Sequence, residues 1–348
     1  LNAWVVLIAL SVVSLSWALT GIIRNYAVSH GMVDVPNERS SHVAVTPRGG
    51  GLAIVITFLG SAAALAALGA LPAHLMIALG GGGLLIAGVG WLDDRKGLSA
   101  VSRAVVHLIA AAWAIYWLGG LPWLDLGFTR LPLRLIGALL AVIGVVWLVN
   151  LFNFMDGIDG IAGVETISVC VMAGAFAAFS GASGLALACL LLALATAGFL
   201  IWNWPPAKIF MGDVGSGFLG YTLAVLAISS EKMQAAPLLV WIVLLGVFLI
   251  DATATLIRRI RHGERWYEAH RTHAYQYAVQ AGFTHQQVAL AVLGLNLGLG
   301  LAGVLMYWWP RWLLAPAMIA LGLLTWLRGA LVGQFTETKV ERGRSIGL

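Results

Sequence analysis

Apolar residues fall in runs of about 18–22, the length at which a helix crosses a hydrocarbon core of about 30 Å. Eleven runs predict eleven membrane-spanning helices, at roughly 3–23, 51–70, 74–92, 104–119, 132–150, 161–180, 184–201, 216–230, 237–257, 288–307 and 312–330. The first run is too long for a signal-peptide core and has no basic segment before it, so it reads as a retained helix. Leu1 in place of a start methionine points to a trimmed N-terminus. The connections are of two kinds. Short ones lie at 71–73, 120–131, 181–183, 231–236 and 308–311; longer polar ones lie at 24–50, 93–103, 151–160, 202–215 and 258–287, with a tail at 331–348. The expected fold is an all-α, polytopic transmembrane helical bundle, a single domain over residues 1–348, without a repeat of 20–50 residues.

Composition narrows the class. Hydrophobic residues make up 60% of the chain and charged residues 10%, against about 25% charged in soluble domains. Charge then orients the bundle. Of 20 Lys and Arg, only Arg130, Arg134, Lys232 and Arg311 lie near the short connections. Positive charge marks the cytoplasmic side, so the long connections are expected there, with the N-terminus outside and the C-terminus cytoplasmic. The net charge of +5 is explained by this topology and calls for no nucleic-acid partner. Cys170, Cys189, His74 and His107 sit in apolar runs and read as packing residues.

The acids carry the first chemical signal. Among 15 Asp and Glu, only Asp125 and Glu231 fall in short connections. A carboxylate at membrane depth costs about 2.5–3.5 kcal/mol on insertion scales. Acids gathered at one end of several helices therefore point to a cation-binding cleft at the cytoplasmic boundary.

Five segments give it detail. Asp93 and Asp94 close the third span; adjacent carboxylates repel, so the pair needs a cation or a basic partner, with Arg95, Lys96 and Arg103 as candidates. A solvated turn is the plain alternative. From Asn150 to Gly160, Asn150, Asn153, Asp156 and Asp159 recur at intervals of three, which keeps them on one helical face. That many side-chain oxygens suits a hard cation such as Mg²⁺ and exceeds what a capping turn needs. From Asn203 to Gly217, Lys208 offers a charge for phosphate, Asp213 a metal ligand, and Phe210 a ring on which a base can stack. The 258–287 connection holds Arg258, Arg259 and Arg261, which read as boundary anchors, then His270, Arg271 and His273, which suit a phosphate or diphosphate. The first long connection holds Arg39, His42 and Arg48 before a glycine triplet, a weak phosphate signal. Asp251, inside the ninth span, reads as a local ion pair near Thr255 and Arg258.

Taken in this order, Leu92-Asp93-Asp94, Asn150 to Gly160 and Pro206 to Ser216 resemble the polyprenyl-phosphate N-acetylhexosamine-1-phosphate transferases. Asp34 to His42 with Thr46 to Gly51 look most like the branch that starts O-antigen chains in Gram-negative bacteria. The resemblance implies Mg²⁺ (or Mn²⁺) held by Asp213 and Asn153. It implies catalytic roles for Asp93, Asp94, Asp156, Asp159, Arg103 and His270, with one of Asp93 and Asp94 activating the lipid phosphate. Phe210 matches the aromatic that stacks on uracil, and Asp159 a position that contacts it. Lys208, Asn203, Arg271, His273 and Arg48 are the expected remaining substrate contacts. The implied partners are a UDP-N-acetylhexosamine, undecaprenyl phosphate and the bilayer of the bacterial inner membrane; dimerisation is implied by the resemblance alone. His-Arg-Thr-His at 270–273 departs from the His-His-His form of the peptidoglycan enzyme, which argues against its muramoyl-pentapeptide substrate and leaves the sugar open. Two rivals fit less well. A transporter would place ionisable residues at the midplane of broken helices, and the spaced Asp-Gly and Ala-Arg pattern of a CDP-alcohol phosphatidyltransferase is not found.

Overall fold

The computed structural model describes the backbone of residues 3–36, 44–264 and 271–346, and side chains over 6–36, 44–264 and 271–333. Arg39, His42 and His270 lie outside the described residues. The helices, in chain order, are α1 (Ala3–Ser29), α2 (Leu52–Ala67), α3 (Ala73–Lys96), α4 (Ala100–Leu118), α5 (Arg134–Met155), α6 (Ile161–Phe179), α7 (Ser183–Asn203), α8 (Asp213–Lys232), α9 (Leu238–Leu244), α10 (Gly246–Arg261), α11 (Ala274–Gln280), α12 (His285–Trp308) and α13 (Leu314–Ile346). Among the described residues nine helices are long and apolar enough to cross a bilayer. The short α2 and the bent pair α9 and α10 stand at the two remaining expected spans. The protein is a polytopic, all-α membrane bundle.

Burial is arranged around α8, in which every residue from Val214 to Glu231 is buried. It packs against α3 and α5. Glycines permit the approach to α3: a Cβ on Gly90 would lie 2.5 Å from the Asp213 carbonyl oxygen, and one on Gly82 would overlap the Tyr221 hydroxyl. Large apolar side chains point outward, as a hydrocarbon solvent requires, among them Leu10 and Ile22 of α1, Leu135 and Leu139 of α5, and Met318 and Trp326 of α13. Trp308, Trp309 and Trp312 are exposed around the α12–α13 connection, where amphipathic rings suit a headgroup layer.

Several details depart from the hydropathy reading. The ninth span is broken: α9 and α10 meet at 79°. Gly246 stands at the break, and a Cβ there would lie 2.9 Å from Leu324 and 3.3 Å from Leu299. Low helix propensity combines here with tight packing against α12 and α13. Hydropathy, summed along the chain, carries no information on a bend. α13 runs on to Ile346, through most of the expected tail. Two antiparallel ribbons decorate the bundle: β1 (Val33–Asp34) with β2 (Thr46–Pro47), and β3 (Trp123–Asp125) with β4 (Arg130–Pro132). The second is fastened to α8 by Glu231, whose carboxylate accepts from the Asp125 amide at 2.6 Å and the Leu238 amide at 2.5 Å. His74 is exposed rather than packed.

Candidate active site

The longer connections meet at one end of the bundle, and the site is assembled around the first turn of α8. Gly212, at φ 74°, turns the chain into the helix, and a Cβ on it would lie 2.5 Å from the Asp94 carboxylate. Asp94 accepts from the Asp213 amide at 3.1 Å and the Val214 amide at 3.2 Å. It thus caps α8 from a different helix, where the unpaired amides and the helix dipole favour an anion. Arg48 reinforces it: its guanidinium donates to the Asp94 carbonyl, with Nε 4.0 Å from the carboxylate. The segment bearing Arg48 is itself tied to the α8 approach, the Phe210 amide donating to the Pro47 carbonyl at 2.8 Å and the Gly50 amide to the Phe210 carbonyl at 2.9 Å.

Asp93 has a different partner. Arg103 Nη1 lies 2.7 Å from Asp93 and 3.4 Å from Asp213, so one guanidinium joins α3, α4 and α8. The Leu98 amide also donates to Asp93. The expectation that Arg95 and Lys96 serve the pair is corrected: Arg95 stacks over Trp91 and donates to the Tyr26 hydroxyl at 3.1 Å, and Lys96 is exposed. Adjacent residues on a helix point about 100° apart, so neighbours in sequence find different partners in space.

Asn153, at the end of α5, donates from Nδ2 to Asp213 at 2.7 Å and to Ser216 at 3.3 Å. Its oxygen and nitrogen are interchangeable by a turn of the amide. With Oδ1 facing Asp213, two oxygens would stand near the ~3 Å separation of adjacent corners in an octahedron with ~2.1 Å bonds. The pair thus fits a Mg²⁺-sized cation. Among the described residues no group of three His, Cys, Asp or Glu is placed to hold a metal, and Mg²⁺ ordinarily completes its shell with water and substrate phosphate. Asp156 caps α5 close by. Desolvation first, then the charges of Asp213, Asp159 and Asp94, push its carboxyl well above the usual range, an arrangement that a cation would relieve.

Asp159 belongs to a second set of contacts. Its carboxylate accepts from the Ala207 amide at 3.0 Å and stands 3.2 Å from His285 Nδ1 of α12. Asn203 is buried and clamps two connections, accepting from the Gly160 amide at 2.9 Å and donating to the Ile209 carbonyl at 3.0 Å. Its amide thus engages backbone on both sides. Lys208 is exposed, its Nζ 5.6 Å from the centre of the Trp202 ring, and Phe210 is half-buried.

The basic connection is rearranged more strongly. His273 is 2% exposed and 3.9 Å from Asp251; burial pulls its imidazole below the usual value, against the opposing effect of Asp251. It is a buried residue leading into α11, whereas Arg271 is half-exposed. Asp251 is also not a local pair: its partner is Arg328 of α13, at 3.0 Å.

Beside Asp213 opens a groove of about 460 Å³. Ile86, Leu108, Ile143, Val146 and Trp147 form apolar wall, and Arg103, Asn153 and Asp213 stand among its polar lining. His107, expected to be simple packing, lines it with Asn150. His285 and Ser216, which contact Asp159 and Asn153, are residues that sequence reasoning did not single out.

Comparison with known proteins settles the family. Over 285 residues the chain is 31% identical to a probable undecaprenyl-phosphate N-acetylglucosaminyl 1-phosphate transferase of Bacillus subtilis (strain 168), covering 79% of this chain and 77% of that protein. Residues 76–231 match the family model described as glycosyl transferase family 4. The chain belongs to glycosyl transferase family 4. Identity is 30% to an undecaprenyl-phosphate alpha-N-acetylglucosaminyl 1-phosphate transferase of Yersinia pestis, over 90% of this chain and 87% of that protein. It is 29% to a decaprenyl-phosphate N-acetylglucosaminephosphotransferase of Mycobacterium tuberculosis (strain CDC 1551 / Oshkosh), over 82% and 78%. This member of family 4 is a multi-pass membrane transferase of the polyprenyl-phosphate N-acetylhexosamine-1-phosphate transferase superfamily. The stretch matched by the family model contains Asp93, Asp94, Arg103, Asn153, Asp156, Asp159 and Asp213.

Proposed function

We propose that this chain transfers an N-acetylhexosamine 1-phosphate from a UDP-sugar to undecaprenyl phosphate and releases UMP. We place the reaction at the cytoplasmic face of the bacterial inner membrane, as the step that initiates O-antigen or a related surface polysaccharide. N-acetylglucosamine is the first donor sugar to test, because all three relatives above are named for it. The observation that carries the reading is the groove. Its apolar walls suit a polyprenyl chain, and Arg103, Asn153 and Asp213 suit the phosphate at that chain's end.

In this reading an oxygen of the lipid phosphate attacks the β-phosphorus of the donor. A new P–O bond forms the lipid diphosphate, and the bond to the UMP oxygen breaks. Mg²⁺, held by Asp213 and Asn153, would neutralise charge on the donor diphosphate and on departing UMP. Arg103 brings a fixed positive charge to the same place, held between Asp93 and Asp213. Asp94 caps α8, whereas Asp93 holds Arg103, which lines the groove; of the pair we assign the orienting of the lipid phosphate to Asp93. Phe210 and Asp159 would receive the uracil, and Arg271 and His270 the diphosphate.

The deciding assay follows UMP release from membranes supplied with undecaprenyl phosphate and a panel of UDP-N-acetylhexosamines. Asp213→Ala is expected to lower turnover by about 10²–10³-fold and to abolish its dependence on Mg²⁺. Wild-type-like, Mg²⁺-dependent turnover in that variant would remove Asp213 from the metal site.

A further inference from the structure

Asp251 and Arg328 lie beyond residues 76–231, the stretch matched by the family model. Both line an apolar cavity of about 330 Å³ between α10, α11, α12 and α13. Arg328 Nε donates to Asp251 at 3.0 Å and Nη2 to the Thr255 hydroxyl at 2.7 Å. Asp251 reaches further still. Both of its carboxylate oxygens accept from the Ala274 amide, the first residue of α11, at 2.9 Å. One carboxylate therefore holds the start of α11, and one guanidinium from α13 holds that carboxylate. In apolar surroundings such a pair breaks at high cost, since removing one member leaves a buried charge unpaired.

The next residue of α11 closes the chain of contacts. Tyr275 is buried, and its hydroxyl donates to the Phe154 carbonyl at 3.0 Å. The same hydroxyl occupies the space where a Cβ on Gly157 would sit, 2.1 Å from it. Gly157 thus answers to Tyr275: only a residue without a side chain leaves room for the phenol. The turn gripped in this way, Phe154 to Gly160, carries Asp156 and Asp159.

We propose that Asp251, Arg328 and Tyr275 are positioning residues for the acidic turn. Asp251 and Arg328 fix α11 to the last span, and Tyr275 transmits that placement to the backbone that presents Asp156 and Asp159. The proposal rests on the transferase reading for its kinetic readout and on backbone exchange for an independent one.

The experiment uses the full chain in lipid nanodiscs, with kinetics and hydrogen–deuterium exchange on the same preparations. Tyr275→Phe keeps the ring and removes the hydroxyl. It is expected to lower kcat about fivefold to tenfold, the scale of one hydrogen bond, with KM for the lipid within about twofold. Amide exchange over 154–160 should rise while exchange in α8 stays unchanged. Arg328→Met should reproduce both effects, and Arg328→Lys should restore most of the loss. Wild-type kcat together with wild-type exchange of the turn in Tyr275→Phe would overturn the proposal. So would an effect of Arg328→Met that spreads evenly over all helices, which marks general destabilisation. If the wild-type protein turns over no UDP-sugar, the transferase reading fails, and the exchange pattern still decides this proposal.

Discussion

Asp159 shows how the site is specified at the scale of one side chain. It is held by the Ala207 amide at 3.0 Å and by His285 at 3.2 Å, groups 48 and 126 residues away. Spacing arguments see only three or four residues along one helix, so the regular interval of Asn150, Asn153, Asp156 and Asp159 was readable while the role of His285 was not. Asn153 does meet Asp213, but Asn203, Arg48 and Asp94 turn out to hold backbone in place. Removing His285 should loosen Asp159 without touching Asp213 and Asn153. For His285→Leu we expect KM for the UDP-sugar to rise about tenfold, the effect of roughly one lost charge-assisted contact, with KM for undecaprenyl phosphate unchanged. Steady-state kinetics with each substrate varied in turn would test this, and equal rises in both KM values would count against it.

At the scale of elements, α8 explains both a success and a shortfall. Its predicted span, 216–230, is the core of the observed helix, but the helix starts at Asp213 and ends at Lys232. A hydropathy reading ends a span where polar residues begin, because it assumes that the helix faces lipid. α8 is enclosed by protein from Val214 to Glu231, so Asp213, Ser216 and Glu231 sit within it and find partners on other elements. The groove walls come from helices that do face outward, chiefly α4 and α5. Val146→Trp, one turn before Asn150, should fill part of that groove. We expect KM for undecaprenyl phosphate to rise about tenfold and KM for the UDP-sugar to stay within about twofold, consistent with the cost of overpacking a fitted apolar site. An unchanged lipid KM would count against the groove as acceptor site.

For the whole molecule, eleven expected spans correspond to nine long helices, one short helix and one bent pair among the described residues. The orientation expected from the charge asymmetry is open to direct measurement. Cys170 and Cys189 are both buried, so the wild-type protein should be silent to a membrane-impermeant maleimide. Single cysteines at exposed Phe128, between β3 and β4, and at exposed His262, after α10, should behave oppositely. Phe128→Cys should label in intact cells, or in spheroplasts where an outer membrane blocks the reagent. His262→Cys should label only after the inner membrane is opened. The reverse pattern would invert the topology.

The chain's own order of residues determined that it lies in a membrane, how many times it approaches a crossing, and that its acids gather with glycines and a few basic groups at one end. These properties are local sums, such as apolar length, charge bias and spacing within a turn, and they survive without knowledge of neighbours. Tertiary structure alone decided which carboxylate caps α8, which arginine serves Asp93, why Gly157 is a glycine, and that Asp251 pairs with Arg328 across 77 residues. Each of those depends on which helix faces are pressed together, and in a bundle nearly uniform in apolarity, hydropathy says little about that choice. Close packing and buried hydrogen bonds make it, and both belong to pairs of elements rather than to either sequence alone.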